Sequence, residues 1–213
     1  MLKVIMPSIK ELVNSDYSSI KTEETETLIN KTLSGLKTVK EPELLQISGI
    51  PGAGKSTYCT SNLLPNYLYL SFDKIMTSLK GYQLELLTSG NEIAFKKYEM
   101  TARIIGYEIL NRALKLKLNI MFEHSGTNSA HLELFQNIKN MGYKTAVNFI
   151  VCDTNLAIQR AKERAIKINR HVPESLILER SKNFSNYMEA YQKITPYISI
   201  YDGANNFAPL KKI

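Results

Sequence analysis

The sequence predicts an α/β fold: a five-stranded, mostly parallel sheet with helices on both faces and a helical extension at the N-terminus. Three observations carry that expectation. Short apolar runs at 44–50, 67–71, 118–123, 144–152 and 197–202 alternate with longer stretches of helical periodicity. The segments between the runs are long enough for right-handed crossovers, which parallel strands require. The first run leads directly into a glycine-rich stretch, Gly49-Ile50-Pro51-Gly52-Ala53-Gly54-Lys55-Ser56-Thr57, with a strand pattern before it and a helix pattern after it. A chain of 213 residues suits one α/β domain with additions. The expected division is an extension over 1–43 and the main domain over 44–213.

Taken in order, residues 1 to about 40 read as polar helix. Ser8 with Glu11, and Thr22 with the carboxylates around position 25, mark candidate helix starts, and Leu28, Ile29, Leu33 and Leu36 supply an apolar face to pack on the core. The same surface also suits docking of a partner or a cover over a site. LLQISGI (44–50) is the first strand, and the helix behind it runs over 54–64 and stops near Pro65. YLYLS (67–71) is the second strand, and its end delivers Phe72 and Asp73 to the rim that carries the glycine-rich loop. From Asn91 to about Lys117 the spacing of Ala94, Tyr98, Ala102, Ile105, Ile109 and Ala113 predicts a long helix with one buried stripe. LNIMFE (118–123) is the third strand, followed by a small, polar run. A helix over 129–141 turns Ala130, Leu134, Ile138 and Met141 inward and stops at Gly142. KTAVNFIVC (144–152) is the fourth strand, and 153–168 forms another helix. After a connection over 169–172, Pro173 opens a helix reaching about Ile194. Pro196 breaks it, and YISIYD (197–202) is the fifth strand.

Gly49, Gly54, Lys55 and Ser56 fill every fixed position of G-x-x-x-x-G-K-[ST], a phosphate-binding loop. The glycines let backbone N–H groups along the loop from Gly49 through Pro51, Gly52, Ala53 and Gly54 to Thr57, all but Pro51, which has none, turn inward around an anionic chain of phosphates. Lys55 adds a cation that reaches the β and γ phosphates. The Ser56 hydroxyl is a hard oxygen ligand suited to Mg²⁺, and the helix beginning near Gly54 adds the positive end of its dipole.

The formal charge of +7 is unevenly placed: residues 1–43 hold six basic and seven acidic side chains, leaving the remainder at +8. A basic main domain implies an anionic ligand, whether nucleotide, phosphorylated sugar or nucleic acid. Cys59 and Cys152 have no Cys-x-x-Cys or Cys/His context and read as reduced core thiols. No apolar run is long enough to span a membrane, and Met1 to Asn14 lacks the h-region and cleavage site of a signal peptide. A cytoplasmic location with no membrane partner is expected.

Around the loop, Asp73 is placed to accept a proton from an incoming hydroxyl, or else caps the following helix. Glu123 ends a hydrophobic strand where a second carboxylate acts on Mg²⁺, water or substrate hydroxyls, or is a satisfied strand-end carboxylate. Thr127 and Asn128 bind substrate or cap the loop, and His124 reads as a structural neighbour. Arg160 and Arg164 share a helical face with Lys167, opposite Ile158, Ala161, Ala165 and Ile168, and Arg170 follows in the connection. Like charges one turn apart suit a grip on phosphate oxygens or a solvated face.

Over residues 44–202, Gly-x-Pro-Gly-Ala-Gly-Lys-Ser-Thr, the Asp after strand two, the Glu and Gly-Thr after strand three, and Arg160, Arg164 and Arg170 together resemble the zeta-toxin family and related P-loop kinases. Asn-Met-Gly-Tyr (140–143) and Tyr-Asp (201–202) extend the likeness. The resemblance implies ATP and Mg²⁺ as cofactors, a UDP-N-acetylamino sugar as the small-molecule hydroxyl acceptor, and an antitoxin or inhibitor protein as a partner. It assigns the phosphate lysine to Lys55, the base to Asp73, substrate contacts to Glu123 and Thr127, and charge stabilisation to Arg160, Arg164 and Arg170. The chain departs from the family in reading Glu-His-Ser-Gly-Thr where Glu-Gly-Thr is common. Polynucleotide 5'-kinases are similar across the same segments but place an arginine three residues after the base, where this chain has Met76, so nucleic acid is the less favoured acceptor. A nucleotide-dependent switch that phosphorylates no acceptor is the competing reading.

Overall fold

The computed structural model describes residues 16–168 and 172–212. The first apolar run forms the middle of the sheet. β1 (Glu43–Ser48) pairs in parallel with β3 (Asn119–Glu123) on one side and β4 (Lys144–Val151) on the other. β2 (Tyr67–Ser71) lies outside β3, and β5 (Ile198–Asp202) lies outside β4, both parallel. β6 (Ala208–Lys212) closes the far edge antiparallel to β5, giving the order β2-β3-β1-β4-β5-β6. The register sets Ile47 and Ser71 on either side of Glu123, so three strands finish level at one edge.

The strands are buried on both faces, and their alternation feeds two cores. Leu44, Leu68, Leu70, Ile120, Phe122, Val147 and Phe149 face the larger one, covered by α3 (Phe72–Ser78), α4 (Lys80–Ser89), α5 (Asn91–Lys115), α6 (Ser129–Asn140) and α9 (Phe184–Ile194). Ile47, Met121 and Ile150 face the smaller one, closed by Tyr58 and Cys59 of α2 (Lys55–Ser61), by Ala157, Ile158 and Ala161 of α7 (Thr154–Ile168), and by Ile177 of α8 (Glu174–Lys182). The α5 stripe is buried at Ala94, Ala102, Ile105, Ile109 and Ala113, with Tyr98 half-buried. Each fully buried isoleucine there contributes on the order of 1.5–3 kcal/mol. α1 (Glu23–Leu33) starts at a Thr22/Thr25 capping box and packs Ile29 into the larger core beside Tyr17. Arg112 of α5 clamps it, donating to both carboxylate oxygens of Glu26 at 2.8 and 3.0 Å.

Several expectations are corrected. The sheet has a sixth strand, because the chain reverses after Asp202 through a turn with Asn206 and Phe207 at φ 46° and 56°. The helix expected from Pro173 to Ile194 is two helices, α8 and α9, broken at Asn183. Met141 is the C-cap of α6 and 50 % exposed, one position past the face that His131, Leu134, Phe135 and Ile138 bury. The N-cap of α3 is Ser71, and Asp73 stands in the first turn. Ser8, Glu11 and Arg170 lie outside the described residues. No helix among the described residues is long and apolar enough to cross a membrane.

Candidate active site

The loop after β1 holds its shape through two glycines with positive φ. Gly52 (φ +88°) passes so close to α7 that a Cβ there would sit 2.2 Å from the Ala157 carbonyl oxygen. Gly54 (φ +102°) is the N-cap of α2 and leaves the first N–H groups of that helix open to an anion. The Phe207 ring packs beneath Gly54 and edge-on against Tyr58, so the β5–β6 turn supports the loop from below. Lys55 folds back over it, Nζ donating to Gly49 O at 2.8 Å and Ile50 O at 3.1 Å.

The carboxylates come from two neighbouring strand ends. Glu123 is buried, and it accepts the Ser56 hydroxyl on Oε1 and the Tyr69 hydroxyl on Oε2, each at 2.6 Å. Burial, and then the adjacent Glu123 charge, push the Tyr69 hydroxyl up and the Cys59 thiol up to about 12, so neither ionises here. Ser56 and Glu123 form a pair of hard oxygen donors beside the loop. Among the described residues no cluster of three or more His, Cys, Asp or Glu is arranged around a metal. Two hard oxygen donors are the set that Mg²⁺ takes from protein, its shell completed from phosphate and water. Asp73 faces the same cleft from the start of α3.

That cleft has a volume of about 340 Å³. Besides the loop and Asp73, it is walled by Met76, by Phe95, Glu99 and Arg103 of α5, by Arg160 and Arg164 of α7, and by Arg180 of α8. Arg160 donates to Gly203 O at 2.8 Å. Arg164 is different: its Nε and Nη2 are buried and have no hydrogen-bond partner among the described residues. Burial disfavours its charge, and the nearby Glu123 only partly offsets this. Two unsatisfied donors on a buried guanidinium beside a phosphate loop fit a phosphate oxygen. Burial likewise disfavours the charge of Arg180, whose Nη1 donates to the Thr127 carbonyl and hydroxyl at 3.1 and 3.2 Å.

The structure thus brings Pro51, Gly52, Gly54, Lys55, Ser56, Thr57, Asp73, Glu123, Asn128, Arg160 and Arg164 to one cleft. Gly49 and Ala53 are buried behind the loop. Thr127 is also buried and bonded to Arg180, while Asn128 caps α6 through Ala130 N–H. The side chain of Lys167 lies outside the described residues. Sequence reasoning missed Arg180, Arg103 and Tyr69. Arg180 sits in an ordinary charged stretch, Glu-Arg-Ser-Lys, and Tyr69 in a strand whose alternation alone does not reveal which hydroxyl has a partner.

Residues 26–208 match a family model described as zeta toxin. Among solved structures, the fold is similar to one from the PezAT chromosomal toxin–antitoxin system of Streptococcus pneumoniae, with a TM-score of 0.69 at 17% identity over 90% of this chain and 81% of that one. The AvrRxo1-ORF1:ORF2 structure with ATP aligns with a TM-score of 0.67 at 12% identity over 98% and 73% of the two chains. The Pnkp1/Rnl/Hen1 RNA repair complex aligns with a TM-score of 0.51 at 16% identity over 83% of this chain and 50% of that one. A comparison with curated proteins finds no match.

Proposed function

The chain belongs to the zeta toxin family, and on that premise we propose that it is a kinase transferring the γ-phosphoryl of ATP to a hydroxyl of a small-molecule acceptor, with UDP-N-acetylamino sugars the favoured class. The observation that carries this reading is the convergence of loop, carboxylates and guanidinium groups on one cleft, with two buried donors of Arg164 unsatisfied there among the described residues.

The roles follow from position. The loop's backbone N–H groups and Lys55 hold the phosphates, and Lys55 must leave Gly49 O and Ile50 O to do so. Ser56 and Glu123 would hold Mg²⁺, which when bound neutralises charge on the phosphate oxygens. Asp73 takes the proton of the acceptor hydroxyl as its oxygen forms the new bond to the γ-phosphorus and the bond to the bridging oxygen breaks, releasing ADP. Arg160 orients, and Arg164 stabilises charge on the transferring group. Arg170 joins them on the strength of the family resemblance. Most of the acceleration then comes from positioning and charge neutralisation. The PezAT likeness supports an antitoxin-like protein as the partner that restrains the activity.

Incubation with γ-labelled ATP and a panel of sugar nucleotides, nucleosides and 5'-hydroxyl oligonucleotides tests the proposal. Label on a sugar nucleotide is expected. Label on oligonucleotides would move the acceptor class, and label in free phosphate alone would point to a hydrolytic switch.

A further inference from the structure

His124 occupies the position where the chain departs from its family's common Glu-Gly-Thr, and its ring is fixed on several sides. It stacks on the His131 ring with centroids 3.6 Å apart and planes 3° from parallel, and Phe72 and Phe122 meet it with centroids at 6.1 and 5.7 Å. Its Nδ1 accepts the backbone N–H of Gly126 at 3.0 Å. A backbone N–H only donates, so Nδ1 carries no proton, and the neutral imidazole must then hold its proton on Nε2. Nε2 is the ring nitrogen that the Gly126 bond leaves over, and the ring lines the cleft. Phe72, which meets the ring edge-on, immediately precedes Asp73. His124 therefore presents a donor of fixed tautomer and orientation on the side of the cleft where the acceptor hydroxyl would meet its base.

Resting on the kinase reading above, we propose that His124 Nε2–H donates to an oxygen of the acceptor next to the hydroxyl that is phosphorylated. It is thereby a specificity-determining contact for acceptors with a vicinal hydroxyl or carbonyl oxygen. The surrounding wall already holds cations in Lys55, Arg103, Arg160, Arg164 and Arg180. Against such a wall, a neutral donor adds recognition of a neutral oxygen without further attraction for phosphate. His131 is a positioning residue that holds the ring by stacking, and its Nδ1 lies 3.4 Å from the Tyr191 hydroxyl.

Two substitutions separate the edges of the ring. His124→Asn keeps an acceptor near Nδ1 for Gly126 but removes the cleft donor, whereas His124→Gln keeps a donor near Nε2 and gives up the Gly126 contact. With UDP-N-acetylglucosamine, or whichever panel compound is phosphorylated, His124→Asn is expected to lower kcat/KM for the acceptor by roughly 10–10² with the KM for ATP within about twofold, and His124→Gln to recover most of it. A deoxy acceptor lacking the neighbouring oxygen should erase the difference between wild type and His124→Asn. Unchanged kinetics in His124→Asn, or a larger loss in His124→Gln, would overturn the proposal in favour of a purely structural role at Gly126. A readout independent of turnover is ¹⁵N NMR of the histidines in the full chain. A neutral, Nε2-protonated ring is expected, with Nε2 shifting when UDP-N-acetylglucosamine is added beside a non-hydrolysable ATP analogue. A proton on Nδ1, or an Nε2 signal indifferent to that probe and to every panel compound, would sink the inference. If no panel compound is phosphorylated yet Nε2 responds, the failure lies with the kinase reading and the donor stands.

Discussion

Lys55 lies folded over its own loop, bonded to Gly49 O and Ile50 O, so the cation holds the loop in shape. Replacing it costs little in folding, because a partly exposed amine loses only contacts that water can replace, and costs the reaction its reach to the γ-phosphate. Lys55→Ala is expected to lose phosphoryl transfer while its melting temperature stays within a few degrees of wild type, as read by calorimetry beside the labelling assay. Asp73→Asn keeps the shape and removes the base, so kcat should fall by about 10²–10⁴ with the KM for ATP little changed; an unchanged kcat would reassign Asp73 to the helix start. At this scale the loop was legible because its chemistry is written in contiguous residues. Glu123 was legible as a carboxylate closing a hydrophobic run. Arg180 and Tyr69 were not, since each acquires its role from a segment 53 or 54 residues away, at Thr127 or Glu123.

The helix α1 shows how an element outside the alternating pattern is held. The Arg112 guanidinium holds the Glu26 carboxyl down to about 2, well below its ordinary 4.5. A depressed carboxylate contributes stability above its unfolded value and loses it as pH falls through the folded one, so this clamp is complete above about pH 5 and weakens progressively toward pH 2. The pair is half-buried, its side chains 27 % and 26 % exposed, and screening by the solvent that reaches it keeps its worth small, at most about 1 kcal/mol. Glu26→Gln should lower the melting temperature by no more than about 2–4 °C at neutral pH, and thermal melts across the acid range should show the two proteins converging toward pH 2. Elements with strong apolar periodicity were readable: all five expected strands and α5 appear within a few residues of their predicted bounds. The missed ones carry no such signal. β6 reads Ala-Pro-Leu-Lys-Lys, with none of the β-branched alternation of a strand, and the break between α8 and α9 falls at Lys-Asn-Phe, without glycine or proline. Both are fixed by what they pack against, the β6 hairpin by the edge strand β5 and the loop above Phe207.

For the molecule as a whole, the sheet works as a common floor on which three strand ends and the α7–α8 wall meet; the meeting of the strand ends followed from the strand–helix alternation, the α8 side of the wall did not. Arg164, whose Nε and Nη2 have no hydrogen-bond partner among the described residues, gives the whole fold a dependence that the alternation does not reveal. A half-buried cation with two buried, unsatisfied donors, its charge only partly offset by Glu123, destabilises the structure that encloses it, and an anionic ligand relieves that strain. Arg164→Met is therefore expected to melt at a higher temperature than wild type when ligand-free, to lower kcat by about 10² or more, and to lose most of the upward shift that ATP gives the wild type. That wild-type shift should be roughly 5–10 °C at a hundredfold excess over Kd. Equal melting of the two ligand-free proteins would show that water already satisfies the guanidinium. On the proposed reading, a chain built this way is coupled to its ligand through its own durability: as the nucleotide is withdrawn, the fraction of molecules open to proteases rises, and abundance follows ligand supply.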